Sequence, residues 1–260
     1  MIVKQVVFVF FVCKILFRKN DRLCAMEENC KMNTFRFKKV VFPVIHVEDY
    51  DQACRNIDIA LNADADGVFI INHAIFPEEL ISLYEKLRKN YPDAWIGLSI
   101  LGKTSLDAMQ MVPLSANGLW TDNACVNELQ DNQPMVEEIW NLKKSRGWNG
   151  MYFGGIAFKY QKPVSDLSLA VTKARDYVDV VCTSGAGTGI VADVEKIRTM
   201  SAAADGFPLA IASGVSLLNV QDYLPYIDYF LVATGISTTF TEFDPGRVKT
   251  LVERIHGYQR

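Results

Sequence analysis

Eight times between Val40 and His256 the chain repeats one pattern: a short apolar run, then a stretch with helical spacing. The runs are Val40–Val47, Gly67–His73, Trp95–Leu101, Gly118–Asn123, Asn149–Tyr160, Asp179–Ser184, Pro208–Ser213 and Tyr229–Thr234. The spacing predicts helices over Asp51–Ala63, Pro77–Asn90, Thr104–Met111, Pro134–Ser145, Asp166–Tyr177, Asp193–Ala203, Asn219–Leu224 and Pro245–His256. Runs that are apolar throughout, rather than alternating, imply strands covered on both faces, as in a parallel sheet. Eight such units in about 225 residues fit a closed (β/α)8 TIM barrel. An open doubly wound sheet would show fewer units or a switch point. Pro43 sits awkwardly inside the first run, because proline donates nothing to a ladder.

No linker or low-complexity stretch divides residues 33–260, so they are expected to form one domain. Residues 1–32 are set apart as an N-terminal extension. Within them Val6–Phe17 is strongly apolar and flanked by Lys4, Arg18 and Lys19, but Lys14 interrupts it. It is shorter than the roughly 20 residues a membrane helix needs, and no small-x-small cleavage site follows. It reads as sequence upstream of a start at Met26 or Met32, with a targeting segment as the alternative. Stable membrane insertion of the domain is not expected, and the location is expected to be cytoplasmic. A net charge of −3 gives no basic footprint for nucleic acid. The six cysteines show no CxxC pair and no zinc spacing, which suits reduced thiols. Trp140, Trp148 and Tyr258 are candidates for an interface between copies in a homo-oligomer.

In such a barrel chemistry belongs at the C-terminal ends of the strands. The last two strands end in Ser213-Gly214 and Thr234-Gly235. Neighbouring glycine turns bring backbone N–H groups to one point, a concavity suited to phosphate, and the helix after Gly214 would aim its first N–H groups there too. The alternative is that these glycines only permit tight turns. After the sixth strand, Thr183 and Ser184 lead into the loop SGAGTG, with Gly185 and Gly187. It lacks the Lys-Ser/Thr of a P-loop and the spacing of a dinucleotide fingerprint, so it reads as a ligand-covering loop or an extension of the phosphate site. Lys159 is placed at the end of the fifth strand as an anion partner, acid/base or imine former. Asp122, the one carboxylate directly on a strand end, is the candidate general base. His46 and His73 end the first two strands as candidate acids, and Asn72 could orient a sugar hydroxyl. Asp66 and Asp179 precede their strands and belong to the opposite face as turn residues. No cofactor is expected; a magnesium ion bridging Asp122 and a phosphate is the alternative.

The segments GVFIINH, WIGLSILG, AFKYQKPV, DVVCTSGAGTGIVADVEKIR and IASGVSLLNVQDYLPYIDYFLVATGIS resemble the BtpA family, within the ribulose-phosphate-binding barrels. The family takes its name from a photosystem I biogenesis protein and includes members thought to act in sugar metabolism. The likeness runs from Val40 to Ile255 and is most specific from Asp179 to Ser237. Lys159 falls where members carry a lysine after the fifth strand. Two places depart from the pattern. VEDYDQA follows His46 where members have a loop rich in proline and glycine, and Ile71-Asn72-His73 replaces an acidic-Asn pair. The resemblance implies the barrel and its phosphate site, leaves the reaction open, and implies no photosynthetic role.

Two kinds of function follow. The first is an enzyme acting on a phosphorylated sugar or ribosyl compound: an isomerase, lyase or aldolase, or alternatively a nucleosidase or phosphoribosyl-transfer catalyst. The second is a non-catalytic assembly or regulatory factor that keeps the anion site.

Overall fold

The computed structural model describes residues 35–258; the segment Val6–Phe17 and three of the cysteines lie outside them. From Val40 onward strand and helix alternate without exception: β1 Val40–His46, α1 Tyr50–Asn62, β2 Val68–Ile71, α2 Pro77–Asn90, β3 Ile96–Ser99, α3 Ser105–Met111, β4 Gly118–Thr121 and α4 Pro134–Ser145. The second half continues with β5 Met151–Gly155, α5 Leu167–Ala174, β6 Val180–Thr183, α6 Val194–Ala204, β7 Leu209–Ala212, α7 Val220–Tyr223, β8 Tyr229–Val232 and α8 Pro245–His256. The strands pair in chain order, all parallel, and β8 closes on β1. This is the (β/α)8 barrel that the repeat predicts.

The helices begin where side chains can satisfy their first N–H groups. Asp49, Thr104, Asp166, Asp193 and Asp244 each accept a bond from the first turn that follows. Proline opens α2, α4 and α8, where its missing N–H costs nothing. Pro43 is tolerated in β1 for a related reason. Pairing with β8 ends at Pro43 opposite Val232, and pairing with β2 begins at Val44 opposite Phe69.

Alternate strand residues share a face. One set, including Val41, Ile45, Ile70, Leu98, Leu119, Val181, Ile211 and Phe230, packs against the helices in a single cluster. The other set fills the barrel, where Phe42, Phe69, Trp95, Phe153 and Tyr229 form an aromatic plug. Phe42 stacks on Trp95 at 4.1 Å, and Phe69 and Phe153 meet edge-on at 5.2 Å. Trp148 is core, not interface: it is buried and its indole N–H donates to the Ala116 carbonyl. Trp140 and Tyr258 are half-buried. Cys54, Cys125 and Cys182 are free thiols.

The floor of the barrel carries a repeat that spans two units. A residue one or two positions before each even strand accepts, through its side chain, an N–H from the start of the preceding odd strand. Asp66 accepts Val41 N at 2.8 Å, Asn117 accepts Ile96 N at 3.0 Å, Asp179 accepts Tyr152 N at 2.7 Å, and Asp228 accepts Leu209 N at 3.1 Å. Each returns its own backbone N–H to the carbonyl of the same partner. A basic side chain then meets each acceptor: His256 at Asp66, Arg88 at Asn117, Lys143 at Asp179 and Lys39 at Asp228. Asp66 and Asp179 are therefore more than turn residues. They set strand register, and the Asp179 charge is matched inside the protein by Lys143.

The Lys143–Asp179 pair is 2.9 Å long, with both side chains under a tenth exposed. Removing one partner leaves the other charged and desolvated. Asp179→Ala is expected to lower the unfolding free energy by about 3–5 kcal/mol, measured by urea denaturation; a loss below about 1 kcal/mol would show that the floor clamp is not stabilising.

Candidate functional site

The period of two that builds the plug also builds the mouth above it. Phe42, Val44 and His46 rise along β1; Phe69, Ile71 and His73 along β2; Trp120 and Asp122 along β4. His46, His73 and Lys159 converge on a narrow cavity whose floor is Val44, Ile71, Trp120 and Leu231. Its far wall is Thr188 and Gly189 from the glycine-rich loop, Ser213-Gly214 after β7, and Thr234 after β8. The two turns predicted to cradle an anion thus share one cavity with three of the predicted chemical residues.

The histidines touch, with ring centres 4.6 Å apart, and Phe240 from the loop after β8 packs on both. His46 Nδ1 lies 2.9 Å from the Phe240 carbonyl. Burial, and after it the neighbouring His73, lowers the His46 pKa to about 4, against a smaller upward pull from that carbonyl. The ring is neutral at pH 7. A carbonyl only accepts, so hydrogen-bond geometry assigns the proton to Nδ1 and leaves Nε2 as the acceptor. His73 is also pushed down, by burial and then by Lys159.

Lys159 does not end a strand. β5 stops at Gly155, and Lys159 follows in a turn where Ala157 and Tyr160 take positive φ. Ser184 Oγ accepts its backbone N–H at 2.8 Å, and its Nζ reaches Thr188 Oγ1 at 3.4 Å. Asp122 directly follows β4. Its backbone carbonyl is held by the Gln161 amide, while its carboxyl oxygen Oδ1 is buried without a hydrogen-bond partner. Burial raises its pKa and the charge of Lys159 works against that rise.

The remaining predicted residues hold the loops. Asn72 is buried; its amide donates to the Ile75 and Leu101 carbonyls and its oxygen accepts Leu101 N at 2.8 Å, tying together the loops after β2 and β3. Thr183 Oγ1 donates to Ala157 O, and Ser184 Oγ donates to Gly185 O as well as accepting Lys159 N. Ser213 adopts φ 86° and uses its hydroxyl twice, accepting Gly189 N and donating to Gly187 O, both at 3.1 Å. The glycine-rich loop is thereby fastened to the β7 turn. Gly214 has φ 75°, and a Cβ there would lie 2.2 Å from the Ile190 carbonyl oxygen. Gly185 admits the same oxygen from its other side, Gly187 lies against the Ile190 side chain, and Gly235 makes room for the Val215 carbonyl. Close backbone packing accounts for these glycines before any ligand is considered. The expected helix-end contribution is also altered: α7 has only four residues and begins at Val220, and Asn219 secures the turn by donating to Gly214 O and accepting Ser216 N.

Three contributors escaped the sequence reading. Lys196 on α6 donates to Ala157 O and to Ser184 O at 2.8 Å, bracing the loops after β5 and β6, and burial lowers its pKa. In sequence it is one more polar helix residue. Phe240 lies outside any apolar run; α1 holds its loop through Gln52 and Asn56, which both donate to the Thr241 carbonyl. Trp120 stood in an apolar strand, and only its parity with Asp122 would have marked it. Among the described residues no group of three or more His, Cys, Asp or Glu is placed to hold a metal ion, and no helix is long and apolar enough to cross a membrane.

The BtpA family model matches residues 108–257, more than half the chain. The chain belongs to the BtpA family. The match spans β4 to α8, with Asp122, Lys159 and both glycine turns, and stops short of β1–β3. A search of curated proteins gives no match. Among solved structures, the chain is similar to (S)-3-O-geranylgeranylglyceryl phosphate synthase from Thermoplasma acidophilum, solved with sn-glycerol-1-phosphate, at 12% identity and TM-score 0.61 over 89% of this chain and 98% of that one. Phosphoribosyl anthranilate isomerase from Thermus thermophilus aligns at 14% identity and TM-score 0.56 over 85% of this chain and 100% of its own. The 2-keto-3-deoxy-6-phospho-gluconate aldolase of Zymomonas mobilis aligns at 10% identity and TM-score 0.56 over 86% and 95%. At these identities the likeness is one of fold.

Two measurements check this geometry. The folded state lowers the His46 pKa from the ordinary 6.5 to about 4, so the unfolded chain binds the extra proton between pH 6.5 and about 4. Stability is expected to fall as pH drops through that window, by on the order of 3 kcal/mol from this residue, with no contribution above it; the slope should flatten in His46→Gln, and an unchanged slope would contradict a neutral, buried ring. Gly214→Ala is expected to push the 184–190 loop off the β7 turn, destabilising the fold by more than about 1 kcal/mol and opening that loop to proteolysis.

Proposed function

We propose that this barrel is an enzyme acting on a small phosphorylated compound of the sugar or ribosyl class. The observation that carries this reading is the charge arrangement of the mouth. Lys159, His46 and His73 meet the turns after β7 and β8 in one cavity, and Asp122, outside its lining, is the carboxylate electrostatically linked to Lys159. Burial and a basic neighbour lower the pKa of each histidine, so the mouth disfavours further positive charge and an arriving dianion relieves that penalty. The phosphate would rest against the backbone of Ser213-Gly214 and Thr234-Gly235, with Lys159 Nζ as counter-charge. The bond from Lys159 to Thr188 is long, so the ammonium can be redirected at little cost.

Asp122 would move a proton. Its upward-shifted pKa and unpartnered Oδ1 suit a carboxyl that takes up a proton more readily than an exposed one, and the Gln161 bond to its backbone fixes the position. His46 Nε2, the free lone pair of a neutral ring, can accept a bond from a substrate hydroxyl or take a proton. Proton transfer beside a carbonyl is the chemistry this set serves best, as in an isomerase or aldolase-type lyase. The names of the three similar structures described above denote phosphorylated compounds, which supports the ligand class at the level of fold.

A thermal-shift comparison of inorganic phosphate, ribose 5-phosphate and ribose tests the reading. A ligand at 100 times its Kd stabilises the native state by about 2.7 kcal/mol. Stabilisation by the phosphorylated compounds and not by ribose is expected. Lys159→Met should weaken phosphate binding by about 10- to 100-fold, the loss of one charge-assisted bond, with little change in the melting temperature of the unliganded protein. Absence of any response to phosphate would overturn the anion site and favour the assembly-factor reading.

A further inference from the structure

Two side-chain polar atoms in the described residues are buried without a hydrogen-bond partner, and they stand two residues apart: Trp120 Nε1 in β4 and Asp122 Oδ1 just after its end. One is a donor and the other an acceptor. Trp120 is only 4% exposed and its ring forms part of the cavity floor. Buried polar groups in native proteins are nearly always satisfied, because an unpaired one forfeits the bonds it made to water. Elsewhere in this barrel the rule is kept closely: the Trp148 indole N–H donates to Ala116 O, and the Tyr152 hydroxyl meets Thr121 Oγ1 at 2.9 Å. The exceptions fall together at the C-terminal end of β4, with Trp120 lining the cavity and Asp122 just beyond the strand.

We infer that Trp120 and Asp122 form the recognition site for the oxygen-bearing end of the substrate, reading two neighbouring oxygenated carbons: an oxygen that accepts from the indole N–H and a hydroxyl that donates to Asp122. This rests on the phosphate reading above and narrows it. In the closed strand order β4 lies opposite β8, so a ligand anchored at Thr234-Gly235 crosses the mouth and presents its far end to β4. The substrate class is therefore a short polyol or hydroxycarbonyl phosphate, with phosphate at one end and adjacent oxygens at the other. A purely apolar end would leave both buried atoms unsatisfied, and a site built to bond an oxygen discriminates strongly against ligands that lack one. Trp120 is the specificity-determining member, since phenylalanine would supply a ring of similar character without the donor.

The test compares three probes on the full chain by calorimetry: inorganic phosphate, glycerol 1-phosphate and propyl phosphate, the last two alike in length but differing in hydroxyls. The native protein is expected to bind glycerol 1-phosphate at least about tenfold more tightly than propyl phosphate. Trp120→Phe should cut that preference by about tenfold while inorganic phosphate affinity stays within twofold. Asp122→Asn, which keeps the shape of the side chain, should also reduce the preference and serves if the tryptophan variant does not fold. Equal affinity for the two esters, with inorganic phosphate still bound, overturns this inference and leaves the phosphate site standing. A preference that survives both substitutions also overturns it. Failure of all three probes to bind overturns the phosphate reading and this inference with it.

Discussion

The reciprocal bonding on the barrel floor is the interaction on which the rest depends. At four places a side chain just before an even strand and the first residues of the odd strand before it exchange two hydrogen bonds, and a basic group meets each acceptor. A one-residue slip in any strand would turn its side chains to the opposite face. It would carry His46, His73 or Asp122 from the mouth to the helix layer and bring aliphatic residues inward. The floor therefore fixes the chemistry of the opposite end of the barrel, although no residue of the floor comes near it. The aromatic plug adds volume and stiffness between the two ends.

At the mouth, conformational demand and binding are superimposed on the same residues. Gly214 and Gly185 approach the Ile190 carbonyl from two sides, and the Ser213 hydroxyl bonds the loop at Gly187 and Gly189. The glycine turns are thus part of a packed lattice of loops. That lattice makes one wall of a cavity whose other wall is basic, and its tightness fits a preformed site rather than one assembled around a ligand. The histidines illustrate the electrostatics: burial and a basic neighbour lower the pKa of each, while burial pushes Asp122 toward its protonated form.

Much of the barrel was legible because its signals are local. The bounds of α2, α4 and α8 coincide with the sequence reading, since proline opens each of them. Lys159 was set on a strand end because AFKY continues an apolar run; in the structure the strand stops at Gly155, and positive φ at Ala157 turns the chain, something composition does not signal. The helix after Gly214 was expected to reach the turn directly, but Asn219 forms an intervening turn first. Asn72 and Ser184 looked free to meet a ligand and are occupied by loop carbonyls and amides that come from remote parts of the chain.

By itself the sequence determined the eightfold alternation, hence the closed parallel barrel, and the end of that barrel where polar residues collect. These follow from hydrophobic periodicity and helix caps, which act over a few neighbouring residues. Only the tertiary structure decided which polar residues share a cavity. Lys196, Phe240 and Trp120 acquire their roles from partners more than ten residues away or from strand parity at closure, and burial without a partner is a property of three-dimensional surroundings. Long-range packing in the closed barrel, not local preference, turned a tryptophan in an apolar strand into an unsatisfied donor at the floor of the mouth.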